Sequence, residues 1–424
     1  MRRLHQKNTV RYYILLVVIF VFLFVSGDFG MIDVQKTAII MAVGLDREDD
    51  TFIVTSQIAV PQSSKQGKST ETVQLVSRGK TVADAFKEIN AKTGWYPKLV
   101  FCQLIVVGEK TAEKNVFDAL EFFLLDEYMS DNCLVAACEG LAKDMLNVTA
   151  LVDPSGSVAM QKVLSPHAER VGTVLPSTLR EFAIGYYGES KSGYLPVLKT
   201  QPQQEEISGE QGGAGASSGG NSSSGDSSSG GPSSSGNGGA GDSSGGSSGG
   251  DKKQDKPVFS ASETALFLNG KRVGTLTKEE TFAFNAIKGK LRLASYSVEQ
   301  DDGAYTLTVK RNDPKTKFSL HENGRTSCKI ELTVSAGLLD LSSARSGKET
   351  ADVGDVPDGV FENAEKRLSA QIKTAFDKCR TANCDLFGVL EYLQKNESNR
   401  FEELRFTALE NTTAEVTVRF RNVR

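Results

Sequence analysis

Few residues in this chain are of the types that make or break bonds. It holds three histidines, His5, His167 and His321, and six cysteines, Cys102, Cys133, Cys138, Cys328, Cys379 and Cys384. A nucleophile–base pair, a proton relay or a zinc site would have to draw on these. The histidines are scattered: His5 lies among basic residues at the start, His167 follows a proline, and His321 precedes the turn-like Glu322-Asn323-Gly324. No histidine neighbours a cysteine pair, so a zinc signature is missing, and no serine stands in a nucleophile elbow. The adjacent carboxylates Asp49-Asp50 and Glu279-Glu280 read as turn and helix-cap charges, not as an acid–base pair. Glycine runs such as Gly212-Gly213-Ala214-Gly215 lack the strand before and the helix after that a phosphate loop requires. Trp95 follows Gly94 and reads as a hydrophobic anchor. The sequence therefore assigns no catalytic, cofactor-binding or metal-ligating residue and calls for no cofactor, and a chain that acts by binding is expected.

Cys102, Cys133 and Cys138 sit in apolar runs and behave as small buried hydrophobes. Cys379 and Cys384 are the close pair at the edge of a helix and the candidates for a disulfide. Across the 424 residues, 49 Lys and Arg face 53 Asp and Glu, with no basic stripe. That balance argues against a dedicated nucleic-acid binder. Hydrophobic residues make up 39% of the chain, enough for the cores of two or three domains.

The positive residues do cluster at the start. Arg2, Arg3, His5, Lys7 and Arg11 precede the apolar run 14–25. A basic flank followed by an apolar segment directs a chain into the secretory path. Two outcomes are open. The segment stays as an anchor with its basic end in the cytoplasm, or it is cleaved near the small residues Val25-Ser26-Gly27. The strict run is short against the roughly 20 residues that cross a bilayer, and Tyr12, Tyr13, Phe29, Met31 and Ile32 extend it.

The elements behind these residues follow from periodicity. A half-buried strand carries Val73 and Leu75; Thr81 then opens a helix whose Val82, Phe86 and Ile89 share one face, and Gly94 ends it. The run 99–107 reads as a central strand, 116–125 as an apolar helix, 133–138 as another strand. Helical pieces around 160–163 and 175–186 precede a strand at 194–199. Residues 201–257 are dominated by Gly and Ser and read as disordered. Beyond residue 291, strands are predicted at 304–310, 317–320, 329–334 and 414–420. Phe361, Ala364, Leu368, Ile372 and Phe376 mark one face of a long helix, and 386–393 gives a second helical stretch. The fold class is α+β and multidomain: a leader or anchor over 1–30, an N-terminal domain over 31–150, a middle domain over 151–290 interrupted by the loop 201–257, and a C-terminal domain over 291–424.

The most specific stretch is 263–284. A β-prone run reaches Asn269-Gly270, the strongest short hairpin signal, because a type I′ turn needs positive φ at both central residues. The chain returns through Val273-Gly274-Thr275-Leu276. Thr277 then caps a helix, with Glu280 completing a capping box. In its order of residues, down to Glu279-Glu280-Thr281, this stretch resembles the middle of the Ger(x)C family, the C subunits of GerA-type spore germinant receptors. Residues 38–61 around Val43-Gly44-Leu45-Asp46, residues 79–146 with Gly108-Glu109-Lys110, and residues 365–401 with Asp385-Leu386-Phe387-Gly388 resemble further landmarks of that family in the same order.

The resemblance implies a non-enzymatic receptor subunit in nutrient-triggered germination. It would sit at the outer face of the spore inner membrane against integral-membrane A and B subunits. It also implies that the strands at 195–199 and 264–268 belong to one domain, which makes the Gly/Ser tract a loop within it. The family's acylated lipobox cysteine has no counterpart, since the first cysteine is Cys102, so lipid anchoring does not carry over. An extracytoplasmic enzyme, and a membrane-anchored solute-binding or scaffold protein unrelated to germination, are the alternatives.

Overall fold

The computed structural model describes residues 12–21, 37–60, 71–148, 153, 155–165, 171–201, 258–300, 303–343, 356–357 and 359–423. The Gly/Ser tract, His5, His167 and the leader outside 12–21 fall beyond these residues. The expected fold class holds: the architecture is mixed α/β, built on two sheets.

Helix α1 spans 12–21. Among the described residues no helix is long and apolar enough to cross a membrane. Strands β1 (Thr37–Glu48), β2 (Thr51–Val60) and β3 (Glu71–Gly79) form an antiparallel meander. Next come α2 (Val82–Thr93), β4 (Tyr96–Lys98), β5 (Leu104–Val107), α3 (Glu109–Glu113), α4 (Phe117–Leu125), β6 (Leu134–Cys138), α5 (Ala142–Leu146), α6 (Gly156–Leu164), α7 (Leu179–Tyr187) and β7 (Ser192–Gln201). Strands β8 (Val258–Leu268) and β9 (Lys271–Leu276) complete the first sheet. Its order is β3-β2-β1-β5-β6-β7-β8-β9, with β4 also paired to β1. The centre, β1-β5-β6-β7, is parallel and the flanks are antiparallel. Helices cover both faces, as a parallel centre demands. Phe86, Phe117, Phe123 and Phe182 pack on one side, and Met145, Leu146, Met160 and Leu164 on the other.

The strand expected over 99–107 is shorter than its apolar run. On β1, Ile39 pairs with Lys98 and Ala42 with Leu104. Three steps along β1 therefore match six along its partner, and the surplus turns out of the sheet, closed by Cys102 N–H to Leu99 O at 2.8 Å.

Helix α8 (Lys278–Ile287) leads to the second sheet, β10 (Ala294–Gln300), β11 (Gly303–Leu320), β12 (Thr326–Ser343) and β13 (Thr412–Asn422), in that order. Helices α9 (Val360–Thr381), α10 (Val389–Asn396) and α11 (Ser398–Leu404) lie between β12 and β13. The face predicted for α9 is the one that packs: Ala364, Leu368, Ile372 and Phe376 are buried in the core of this sheet. The stretches expected separately at 304–310 and 317–320 are one 18-residue strand running through Pro314. Proline fits there because β10 pairs only with residues 303–309 of β11, leaving the Pro314 side without a ladder.

The predicted hairpin and cap are present. Asn269 and Gly270 take φ of 51° and 73°, and Thr277 and Glu280 form a reciprocal capping box. Strands β7 and β8 pair directly down to Gln201↔Val258, so residues 202–257 connect two adjacent antiparallel strands.

Candidate functional site

Each landmark motif resolves into a side chain that fixes backbone. Asp46, on β1, is buried, and its two carboxylate oxygens accept the first N–H groups of α5: Ala142 at 2.8 Å and Lys143 at 3.0 Å. Burial pushes its pKa above the usual carboxylate value; the two N–H bonds pull it down without cancelling that push. Gly108 crosses directly over this carboxylate, and a Cβ there would overlap Asp46 Oδ1. Beside it, Glu109 exchanges bonds with Gly140, through N–H to Gly140 O at 2.9 Å and through Oε2 from Gly140 N–H at 3.0 Å. The Gly44–Asp46 and Gly108–Glu109 motifs thus form one latch between β1, α3 and α5.

Glu280 does more than close the capping box. It is buried and receives Lys378 Nζ at 2.7 Å, which ties α8 to α9. On the next turn, Asn285 donates through Nδ2 to the carbonyls of Gly172 at 2.8 Å and Val174 at 2.9 Å.

Asp385 is the third such residue. It is buried, and its carboxylate accepts N–H groups from Gly388 (2.9 Å), Val389 (3.0 Å) and Leu390 (2.7 Å), three orphan donors of α10. Its own N–H donates to Ser192 Oγ on β7 at 2.9 Å. Cys384 Sγ meets Phe267 O at 3.3 Å. These contacts pin the 384–388 turn onto the first sheet.

Above this turn lies a cleft of about 560 Å³, within the range of small-molecule sites. One wall carries Phe182, Ile184, Ser192 and Tyr194; the other carries Lys288, Phe387, Glu391 and Lys395. Gln394 Nε2 spans the rim to Glu189 Oε1 at 3.2 Å. The Lys288 ammonium donates to Leu386 O at 3.1 Å and stands 5.2 Å from the Phe284 ring centroid. Burial of that tip, with Lys290 nearby, pushes its pKa down. Burial pushes the Tyr194 phenol up. The cleft thus mixes a few apolar side chains with many charged and polar ones.

The residues weighed from sequence are dispersed. His321 is exposed and hydrogen-bonds Ser327 Oγ at 3.0 Å. Among the described residues no three of His, Cys, Asp or Glu converge on one point. All six cysteines are free and buried, so Cys379 and Cys384 are not joined. Burial pushes the thiols of Cys328 and Cys384 up to about 12, far from the thiolate form a nucleophile needs. Asp49 occupies the β1–β2 turn at φ 49°, and Trp95 packs half-buried against the first core.

Two of the landmark glycines differ in what they require. Gly274 lies beside a bulge in the β8–β9 pairing, yet a Cβ there would meet Leu266 Cδ1 at an ordinary 3.5 Å. Gly388 has open space around its Cα but holds φ at 91°. Its requirement is conformational, not steric. Gly388→Ala is expected to lower stability by about 1–2 kcal/mol, and Gly274→Ala by less than about 0.5 kcal/mol, measured by urea unfolding. Equal losses at the two positions would refute this assignment.

Two family models match this chain in tandem: "Spore germination protein N-terminal domain" over residues 30–200 and "Spore germination B3/ GerAC like, C-terminal" over residues 262–422. The cleft joins the two matched stretches, with Phe182 and Ser192 in the first and Asp385 in the second. Spore germination protein A3 of Bacillus subtilis (strain 168) is 27% identical over 170 residues, a match covering 38% of this chain and 44% of that relative. A crystal structure of the GerBC protein aligns over 90% of this chain and 97% of its own length at 14% identity, with a TM-score of 0.49.

Proposed function

Because this chain belongs to the Ger(x)C family of spore germination proteins, the C subunits of germinant receptors, we propose that it serves a nutrient receptor without catalysis. It is held at the extracytoplasmic face of the spore inner membrane by residues 14–25 and binds the integral-membrane A and B subunits. The tandem family match, in order and over most of the chain, carries this reading. The landmark residues support it: Asp46, Glu280 and Asp385 spend their oxygens on backbone N–H groups and on one lysine, and so stiffen a scaffold.

Spores lacking this chain are expected to lose their response to one class of nutrient, read as the fall in optical density, while still responding to a trigger that bypasses nutrient receptors. A tagged full-length chain recovered from detergent-solubilised spore membranes should bring multi-span proteins with it. Normal nutrient germination in the deletion strain, or turnover of a substrate by the purified chain alone, would overturn the reading.

A further inference from the structure

The parallel strands β4, β5 and β6 all begin at one end of the first sheet, and β1 begins there too, with Thr37 opposite Tyr96. Two loops meet at this end. The surplus residues between β4 and β5 abut the turn before β6, where Leu134 N–H donates to Gln103 O at 3.0 Å. Together they carry an apolar surface. Val100 and Phe101 are half exposed at the loop tip, Tyr96 on β4 and Tyr128 in the turn after α4 are half exposed as well, and Leu125 at the end of α4 is 79% exposed. Lys98 Nζ lies over the Tyr128 ring, 4.5 Å from its centroid.

Such protruding apolar tips need an occupant, and the chain indicates which. The apolar segment enters at this end of the molecule. Only residues 22–36 separate helix 12–21 from Thr37, a tether of 15 residues that reaches at most about 50 Å. Helix 12–21 presents ten exposed residues, Tyr12 through Val21, all apolar or aromatic. Tyrosine and lysine around an apolar tip are the side chains that settle at a membrane–water interface. We propose that the Val100–Phe101 tip, with Tyr96, Leu125 and Tyr128, rests on the lipid bilayer and sets the orientation of the folded chain on it. The contact is shallow: the tip reaches the acyl boundary, and Asp126, Glu127 and Asp131 in the neighbouring turn stay in water. It rests on the membrane-tether reading above and adds the face that touches.

The test uses the full chain reconstituted into phosphatidylcholine vesicles carrying acyl-brominated lipid, which quenches tryptophan only at close range. The chain has a single tryptophan, Trp95, so a probe can be moved. In Trp95→Phe/Phe101→Trp the probe sits at the tip. In Trp95→Phe/Leu141→Trp it sits at the opposite, strand-end side, where Leu141 is 43% exposed. Circular dichroism establishes that both variants fold. The tip probe should lose at least about half its emission, and the Leu141 probe almost none. Chain that floats with the vesicles but shows an unquenched tip, or equal quenching of both probes, would overturn the lipid-facing assignment and give the patch to a protein partner. Chain that fails to float would sink the tether and this face together, so the two failures are distinct. As a second measure, Val100→Ser/Phe101→Ser should leave flotation and urea unfolding unchanged while restoring most Trp95 emission in brominated vesicles. No change in Trp95 emission would also count against the proposal.

Discussion

Gly108→Ala is expected to destabilise the protein by roughly 2–4 kcal/mol, a large loss for one methyl group. The added Cβ would overlap Asp46 Oδ1, so the carboxylate must leave. The N–H groups of Ala142, buried, and Lys143, part-buried, then lose a charged acceptor, at about 1–3 kcal/mol for the buried one and less for the other. Asp46→Ala should cost a similar amount by the direct route. The signature is non-additivity. If both changes act through one latch, the double variant should be little worse than either single. Urea unfolding followed by circular dichroism decides it, and two additive losses would refute the latch. The same carboxyl also gives a pH dependence. Its folded pKa is raised above the unfolded value, so its contribution to stability is fully present below the ordinary carboxylate value and is lost as pH rises through the raised one. Asp46→Asn removes that titration, and the decline of stability in the window just above the ordinary carboxylate value should flatten in the variant.

Asp385→Ala is expected to cost about 3 kcal/mol and to free the start of α10. Three N–H groups lose their acceptor at once, more than the roughly 1 kcal/mol typical of a single helix cap. With α10 loosened, the bridge from Gln394 to Glu189 across the cleft rim should break as well. Hydrogen exchange at residues 388–390 should rise far more than at residues 104–107 of the first sheet. Asp385→Asn keeps one acceptor oxygen and should fall between wild type and Ala. Protection at 388–390 that survives in the Ala variant would show that the helix start is held by something else.

What could be read from sequence was whatever is local. The Asn269-Gly270 turn, the Thr277/Glu280 box and the Thr81 and Gly94 caps each depend on neighbours within four residues, and each is present. The alternation of Ala294, Tyr296 and Val298 on β10 was equally readable and goes unnamed among the predicted strands. Proline made β11 look like two strands, because whether Pro314 is tolerable depends on which side of the strand another strand covers. The role of Asp46 and the docking of Asp385 onto β7 were visible only as motif letters. Asp46 finds its partners 96 and 97 residues away, and the Asp385 N–H finds Ser192 at a separation of 193. The cleft is illegible for the same reason: its walls come from α7 and α10, brought together by tertiary packing alone.

The direct pairing of β7 with β8 also sets a timetable. On a ribosome working at about 5–20 residues per second, roughly 3–13 seconds pass between completion of β7 at Gln201 and of its partner β8 at Leu268. Throughout that interval β7, with Leu195, Val197 and Leu198 along it, is the open border of an unfinished sheet, and an uncovered strand border invites pairing with other chains. Lengthening the 56-residue connection between Gln201 and Val258 would barely change equilibrium stability, since each doubling costs only about 0.6 kcal/mol. It would prolong the vulnerable interval in direct proportion. The tolerable length of that connection is thus governed by the speed of synthesis and export more than by thermodynamics.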